Sequence, residues 1–150
     1  MNSRQDDPEA AFASALAGDL RALIGKLKRR LREQANAGDL TPSQVSVVLR
    51  LEREGPTTMS NLARAEGMRP QSMGSAVALL QAAGFVNGVS DPNDGRQTIL
   101  SLTDTCREWI TEGRAARQDW LFRTLRARLS PQEQKHLAAT IELLKRLVDD

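Results

Sequence analysis

The spacing of apolar residues along the chain predicts a protein made mostly of helices. Between Phe12 and Leu31, large apolar residues recur at intervals of three and four, which is the repeat of one face of a long helix. Asn36, Gly38 and Asp39 interrupt this repeat and are expected to end the helix. The first predicted element is therefore one long amphipathic helix.

Two capping-box patterns predict where further helices begin. Thr41-Pro42-Ser43-Gln44 and Ser130-Pro131-Gln132-Glu133 each place a hydroxyl three residues before a side chain that can bond back to the cap, with proline at the first helical position. The first box opens a helix that ends at Gly55-Pro56. Its apolar side is predicted to consist of Val45, Val48, Leu49 and Leu51. The apolar positions of the last helix are Leu137, Ile141, Leu144, Leu147 and Val148.

A helix-turn-helix arrangement is predicted in the middle of the chain. Thr58 can cap a third, short helix that ends at Gly67, and Pro70 opens a fourth helix that ends at Gly84. Only Gly67, Met68 and Arg69 separate the two helices, and a short turn containing glycine is typical of this arrangement. The inward side of the fourth helix is predicted to consist of Met73, Val77 and Leu80.

An extended segment follows the fourth helix. Residues 85–89 and 97–102 contain β-branched residues in partial alternation, and the stretch from Ser90 to Gly95 is dense in turn-forming residues. These features predict a β-hairpin with a long polar tip. Thr103 then caps a fifth helix. The apolar positions of that helix are Trp109, Ile110, Trp120, Leu121, Leu125 and Leu129.

Composition argues against enzymatic chemistry. The chain has 150 residues, with 40% hydrophobic residues and a net charge of +2, which fits one folded domain. Cys106 is the single cysteine and His136 the single histidine, so an intrachain disulfide, a multi-thiolate site and a polyhistidine zinc site are excluded. We find no catalytic set, no metal site and no cofactor motif. The acidic start from Met1 to Glu9 does not resemble a secretory signal, and no apolar run approaches the ~18 residues of a membrane span, so we predict a cytoplasmic protein.

The segment from Leu40 to Arg107 resembles the MarR family of bacterial transcription regulators. A helix-turn-helix followed by a hairpin is a winged helix, and the most specific match is the wing sequence Asp94-Gly95-Arg96, which precedes an apolar strand and Leu102-Thr103. The resemblance implies a mainly α fold with a small β-hairpin wing, in which a winged helix-turn-helix is flanked by long dimerisation helices. It divides the chain into a first dimerisation helix (1–38), a DNA-binding domain (39–103) and two further dimerisation helices (104–150).

The resemblance also implies a set of DNA contacts. The family's groove-entering segment and wing fall on Arg69, Pro70, Gln71, Ser72, Met73, Ser75, Asp94 and Arg96. Gln can bond the edge of adenine and Ser can bond a base or a phosphate, and Arg96 is expected in the minor groove, oriented by Asp94. The alternative interpretations are a solvated first helical turn and an ordinary Asp-Arg turn pair.

The predicted DNA-binding region departs from the family pattern in its charge. Arg69 stands where relatives usually have a small capping residue; it cannot cap the helix but can reach a phosphate. The fourth helix has no Lys or Arg, and Ser75 and Leu79 occupy positions that are often basic in relatives. Residues 39–103 contain five basic and six acidic residues, so we expect modest non-specific affinity and recognition by few contacts.

The remaining expectations concern partners. The resemblance implies that the first and last helices bury apolar residues against a twofold partner, with an intramolecular bundle as the alternative. The predicted dimerisation residues are Phe12, Leu16, Leu20, Leu137, Ile141, Leu144 and Leu147. Trp109 and Trp120 are candidates for walling a pocket for a small aromatic or phenolic ligand, although core packing is the favoured interpretation. Likewise, we favour a packed Cys106 over a redox sensor, and a solvated surface over a phosphate-binding stripe for residues 26–32.

The sequence thus predicts a homodimeric regulator that binds a pseudo-palindromic operator in double-stranded DNA and represses transcription until a small ligand binds. A related dimer that has lost DNA binding and acts as a protein-interaction module is the alternative, because the fourth helix carries no charge. An enzyme is a third and weaker hypothesis, since no nucleophile, base or metal set converges in the sequence.

Overall fold

The computed structural model describes residues 7–35 and 40–149. The chain order of its elements is α1 (Pro8–Gln34), α2 (Pro42–Glu54), β1 (Thr57–Thr58), α3 (Met59–Glu66), α4 (Pro70–Ala82), β2 (Val86–Ser90), β3 (Thr98–Leu102), α5 (Asp104–Arg128) and α6 (Pro131–Lys145). The predicted helix break at Asn36, Gly38 and Asp39 lies outside the described residues. The mainly helical fold with a small hairpin is confirmed. Two compact units are present: a winged unit from α2 to Gly113 of α5, and a helical unit of α1, the rest of α5 and α6.

Local hydrogen bonds explain why the helices begin where they do. The Thr41 hydroxyl accepts the Gln44 amide at 3.2 Å and the Gln44 side chain accepts the Thr41 amide at 2.9 Å, so both halves of the capping box form. The box of Ser130 and Glu133 forms in the same way, with distances of 3.1 and 2.9 Å. Each satisfies amides that a helix N-terminus would otherwise leave unpaired. Both predicted capping boxes are therefore confirmed.

Threonines cap α3 and α5. The Thr58 hydroxyl accepts the Asn61 amide at 3.2 Å at the start of α3. The Thr103 hydroxyl accepts the Cys106 amide at 3.1 Å at the start of α5 and donates to the Gly84 carbonyl at 2.6 Å. The second bond ties the start of α5 to the turn that follows α4. The capping roles predicted for Thr58 and Thr103 are confirmed.

The hydrophobic core of the winged unit differs from the prediction on α2. The buried side of that helix consists of Gln44, Val47, Val48 and Leu51, whereas Val45 is half-buried and Leu49 is 36% exposed. Positions 44, 47, 48 and 51 follow the i, i+3, i+4, i+7 spacing of one helix face, and Leu49 lies off that face. The predicted apolar side was therefore wrong at Val45 and Leu49. The core also includes Leu62, Met73, Val77, Leu80, Val86, Leu100, Leu102, Cys106 and Ile110, and the predicted inward side of α4 is confirmed.

The sheet has three strands in the order β1-β3-β2, all antiparallel. The predicted hairpin is confirmed: Val86 pairs with Leu102 and Ser90 pairs with Thr98, which leaves residues 91–97 as the tip. The sequence did not predict β1, in which Thr57 pairs with Leu100. A strand of two residues is too short to show alternation, and only its β-branched composition could have indicated it.

The helical unit exposes much of its apolar surface. Neither α1 nor α6 has a buried residue within the described chain, and Phe12 is 72% exposed. The last helix ends at Lys145, so the prediction that Leu147 and Val148 continue it was wrong; their amides bond carbonyls three residues back, in a tightened final turn. No helix in the described ranges is long and apolar enough to cross a membrane.

Candidate nucleic-acid interface

The turn before α4 leaves a basic side chain free at the helix N-terminus. Gly67 ends α3 in the left-handed conformation, with φ of +63°, and the Met68 amide bonds the Ala63 carbonyl at 2.9 Å, so the chain reverses within three residues. Arg69 is the N-cap of α4 and makes no side-chain capping bond, although its carbonyl accepts the Met73 amide at 3.0 Å. The exposed Arg69 guanidinium therefore lies beside the first turn of α4, as expected from the sequence.

The two faces of α4 separate core residues from surface residues. Pro70, Gln71, Ser72, Ser75 and Leu79 are exposed. On the opposite side, Met73 is fully buried, with Ala76, Val77 and Leu80. The structure therefore removes the Met73 side chain from the predicted contact set, because a side chain that fills the core cannot enter a DNA groove. The other predicted residues of this segment share one accessible surface.

The polar side chains on this surface differ in the hydrogen bonds that they make. The Ser75 hydroxyl donates to the Gln71 carbonyl one turn earlier at 3.2 Å, which leaves its oxygen able to accept a further bond. The Gln71 side-chain amide makes no hydrogen bond to another described residue and offers both donors and an acceptor. The Gln71 amide can therefore form the two hydrogen bonds with adenine that the sequence predicts.

The wing tip is held by its own acidic residues. The Asp91 carboxylate accepts the Asn93 amide at 2.9 Å, and the Asp94 carboxylate accepts the Arg96 amide at 3.1 Å. Asp94 thus acts on the Arg96 backbone, and the expectation that it holds the guanidinium itself is not met. Within the described chain the exposed Arg96 guanidinium forms no ion pair. The aspartates fold the tip and leave the arginine free.

A glycine allows the wing to approach α4 closely. A Cβ atom at Gly88 would lie 2.9 Å from Thr98 Cγ2 and 3.0 Å from Gln81 Nε2. Both distances are shorter than ordinary van der Waals contacts, so a larger residue would have to displace Thr98 on β3 and the Gln81 side chain on α4. The absence of a side chain at Gly88 therefore lets β2 lie close to both.

An ion-pair network holds the helix-turn-helix against α2. Arg50 Nε donates to Glu66 at 2.7 Å, the Ser46 hydroxyl donates to Glu66 at 2.9 Å, and Arg50 Nη1 donates to Glu54 at 3.0 Å. Burial acts to raise the pKa of Glu66, but the hydrogen bonds from Arg50 and Ser46 and the Arg50 charge outweigh it, so that pKa lies below its ordinary value. The bond to Glu66 in turn raises the pKa of Arg50.

Sequence reasoning missed this network. Only the i, i+4 pair of Arg50 and Glu54 was visible in the sequence, because Glu66 is 16 residues away from Arg50 and becomes its neighbour only after folding. Glu66 is the last residue of α3, directly before the turn that leads to α4. Its carboxylate therefore fixes the turn from which α4 begins.

The candidate pocket residues Trp109 and Trp120 and the candidate sensor Cys106 are at least partly buried. Trp109 packs against the core of the winged unit, with its ring centroid 5.3 Å from that of Phe85, and Trp120 is half-buried. Cys106 is fully buried, and burial raises the pKa of its thiol, so the packed interpretation holds and a helix-activated thiolate does not. His136 is exposed, and no cluster of three or more metal-ligating side chains occurs among residues 7–35 and 40–149.

Comparison with known proteins identifies the family. A family model described as MarR family matches residues 38–97. An HTH-type transcriptional regulator of Mycobacterium tuberculosis is 36% identical over 135 residues, which cover 90% of this chain and 94% of that protein. A transcriptional regulator from Pseudomonas aeruginosa has a crystal structure with a TM-score of 0.80 and 34% identity, covering 92% of this chain and 96% of its own.

A more distant structure shares the fold. It is a mutant of MepR from S. aureus bound to an oligodeoxyribonucleotide, with a TM-score of 0.71 and 18% identity, covering 88% of this chain and 97% of its own. The relatives from Mycobacterium tuberculosis and Pseudomonas aeruginosa are transcriptional regulators, which supports the predicted regulator over the enzyme hypothesis. The chain belongs to the MarR family of winged-helix, DNA-binding transcriptional regulators.

Proposed function

We propose that the chain is a homodimeric repressor that binds a pseudo-palindromic operator in double-stranded DNA and releases it when a small ligand binds. One observation carries the DNA-binding part of this proposal: the Gln71 amide and the guanidiniums of Arg69 and Arg96, which have no partner among the described residues, are exposed on one winged unit in which α4 and β2 of the wing are in contact. Other DNA-binding proteins likewise insert one helix into the major groove and reach the adjacent minor groove with an arginine on a flanking arm.

The exposed face of α4 is suited to the major groove. Gln71 can bond N6 and N7 of adenine at once, and Ser72 and Ser75 can bond either a base edge or a phosphate. Arg69, at the N-terminus of α4, can bond a phosphate while the helix dipole adds favourable potential there. In this arrangement Arg69 positions the helix on the backbone and Gln71 supplies base specificity.

The wing is suited to the adjacent minor groove. The two aspartates of its tip accept bonds from backbone amides, so the Arg96 side chain can extend from the tip. A narrow minor groove concentrates negative potential and attracts an inserted arginine. Asp94 thereby sets the conformation of the tip, and Arg96 makes the contact.

Dimerisation accounts for the exposed apolar surface of the helical unit. Phe12 is 72% exposed, Leu16 55%, Ile141 44% and Leu147 69%, and the predicted residues Leu20, Leu137 and Leu144 are only half-buried. Side chains of this size, spaced along α1 and α6, form a surface that a second copy of the chain can cover. To bind two half-sites one DNA turn apart, such a dimer must present its two α4 helices about 34–36 Å apart, and it doubles every contact.

Ligand control is the least constrained part of the proposal. A ligand that stabilises a dimer with a different α4 spacing would lower operator affinity, because the DNA turn fixes the half-site distance. Trp109 and Trp120 on α5 remain the proposed walls of its site, for a small aromatic or phenolic compound. A regulator of chromosomal promoters acts in the cytoplasm, so the proposal also places the protein there. The same proposal keeps the division of the chain into a first dimerisation helix (1–38), a DNA-binding domain (39–103) and two further dimerisation helices (104–150).

A gel shift with the promoter DNA of its own locus tests the DNA-binding part. Arg96→Ala combined with Gln71→Ala should abolish the shifted band at concentrations that saturate the wild type. The matched control is Arg53→Ala, which removes an exposed arginine from α2 of the same unit. Unaltered binding by the double variant would contradict the assigned contacts. Absence of duplex binding at every salt concentration would instead favour the protein-interaction module.

Sedimentation measurements test the dimer separately. Phe12→Glu together with Ile141→Glu should convert the wild-type dimer into monomers, because charged carboxylates would be buried against apolar side chains. A wild-type chain that sediments as a monomer at micromolar concentration would contradict the dimer and favour an intramolecular bundle.

A further inference from the structure

The exposed face of α4 ends in an apolar side chain that the core does not use. Leu79 is 61% exposed and lies outside the buried side of α4, which contains Met73 and Leu80. With Ser72 and Ser75 it follows the i, i+3, i+7 spacing of one helix face, so it extends the same surface that Gln71 begins. A single exposed leucine is common on proteins, but this one lies on the face proposed to enter the major groove.

The neighbours of Leu79 add no charge to this surface. Ala78 and Ala82 are exposed beside it, and no lysine or arginine occurs in α4. Gln81, the polar residue of this half of the helix, lies about 160° around the helix axis from Leu79, beside Gly88 of the wing. The face around Leu79 therefore has neither a hydrogen-bond donor nor a cation to offer a base or a phosphate. Its chemistry is apolar, and it can be matched only by an apolar group on the DNA.

The major groove contains one such group, the C5 methyl of thymine. We propose that Leu79 is a specificity-determining residue that packs against a thymine methyl in each half-site, a proposal that rests on the proposed DNA binding by α4. Cytosine, in the same position of a pair, presents no methyl and would leave the leucine against a polar edge. The operator is then defined by an adenine that bonds Gln71 and a thymine that contacts Leu79.

The geometry limits how far apart these two bases lie. Gln71 and Leu79 are eight positions apart on the helix, which corresponds to about 12 Å at about 1.5 Å per residue. With about 3.4 Å per base step, this rise corresponds to about three to four base pairs, which is the separation expected between the adenine and the thymine in each half-site. A consensus selected from random duplexes should show this pair at fixed separation.

Replacement of thymine by deoxyuridine tests the contact directly, because the change removes only the methyl group. The probe is the duplex that the wild-type dimer selects from a random-sequence library, prepared with thymine and with deoxyuridine in both half-sites. Wild-type affinity should fall about fourfold per half-site and about fifteenfold in total, the equivalent of about 0.8 kcal/mol per methyl group.

Two variants separate a contact by Leu79 from a general preference for thymine. Leu79→Ala should bind the two duplexes with nearly equal affinity. Leu49→Ala, a matched change at an exposed leucine on α2, should keep the wild-type discrimination. Because both positions are exposed, circular dichroism should show unchanged helix content in both variants.

The outcomes distinguish this proposal from the one on which it rests. Loss of discrimination in Leu79→Ala alone supports the thymine contact. If the wild type binds its selected duplex but tolerates deoxyuridine, or if Leu79→Ala discriminates as well as the wild type, the Leu79 proposal is overturned and DNA binding by α4 stands. If no duplex can be selected, both proposals are overturned.

Discussion

Removal of the Glu66 carboxylate charge should weaken the helix-turn-helix from within. The side chain is 12% exposed and accepts bonds from a guanidinium at 2.7 Å and a hydroxyl at 2.9 Å. In Glu66→Gln, one oxygen can still accept a bond, but the new NH₂ group faces a donor and the charge attraction to Arg50 is lost. Since a hydrogen bond to a charged group contributes about 1.5–3 kcal/mol, we expect the free energy of unfolding to fall by about 2 kcal/mol.

The measurement is urea unfolding followed by tryptophan fluorescence, at one protein concentration because dimerisation would make stability depend on concentration. The control is Glu54→Gln, which removes the other carboxylate bonded to Arg50. The Glu54 side chain is 51% exposed, so this change should cost about 0.5 kcal/mol or less. Equal effects of the two substitutions would refute the reasoning.

The loss should also depend on pH in a defined direction. The folded pKa of Glu66 is below its ordinary value of 4.5, so its contribution is complete above that value and is lost as the pH falls through the folded pKa. The difference between the wild type and Glu66→Gln should therefore be constant near neutral pH and shrink below about pH 4.5. A difference that stays the same down to acid unfolding would show that the charge is not its source.

Three further predictions concern the wing, the interface and the buried thiol. Gly88→Ala should lower the midpoint of thermal unfolding and cost about 1–2 kcal/mol through overpacking, whereas Gly95→Ala, which meets open space, should be neutral. With Arg69 and Arg96 as the two cationic groups that each protomer brings to the DNA, a plot of log affinity against log salt should have a slope of about −4, and a much steeper slope would indicate that the basic residues 26–32 of α1 also contact phosphates. Cys106 should resist alkylation in the native protein at neutral pH and react once denatured; rapid native alkylation would contradict its burial.

Features encoded by neighbouring residues could be predicted from the sequence. The capping boxes that begin at Thr41 and Ser130, and the threonine cap of α5, depend on residues three positions apart, so the sequence contains all the information they need. The turn of the helix-turn-helix is similar, because Gly67 and Pro70 fix the backbone locally. Bonds of this kind form in the same way whatever the rest of the chain does.

Features that depend on distant residues could not be predicted. β1 is a strand only because Thr57 meets Leu100 across the sheet, and the carboxylate of Glu66 finds Arg50 only after α2 and α3 pack together. The predicted apolar side of α2 was partly wrong for the same reason. Which of its apolar residues are buried depends on the elements against which the helix packs. Met73 was assigned both to the core and to the DNA contacts, and burial decides for the core.

The winged unit has more acidic than basic residues, yet basic side chains remain exposed on it where DNA binding is proposed. Arg50 and the Glu66 carboxylate neutralise each other, Glu54 shares the same arginine, and the wing aspartates are bonded to backbone amides. These four carboxylates thus each have a partner within the same unit, while Arg69 and Arg96 stay exposed and unpaired among the described residues. Electrostatic attraction to DNA depends on where charge is exposed and not on its sum. A segment with excess acidic residues can therefore present a positive edge on either side of an uncharged recognition surface, and base chemistry then contributes a larger share of the affinity.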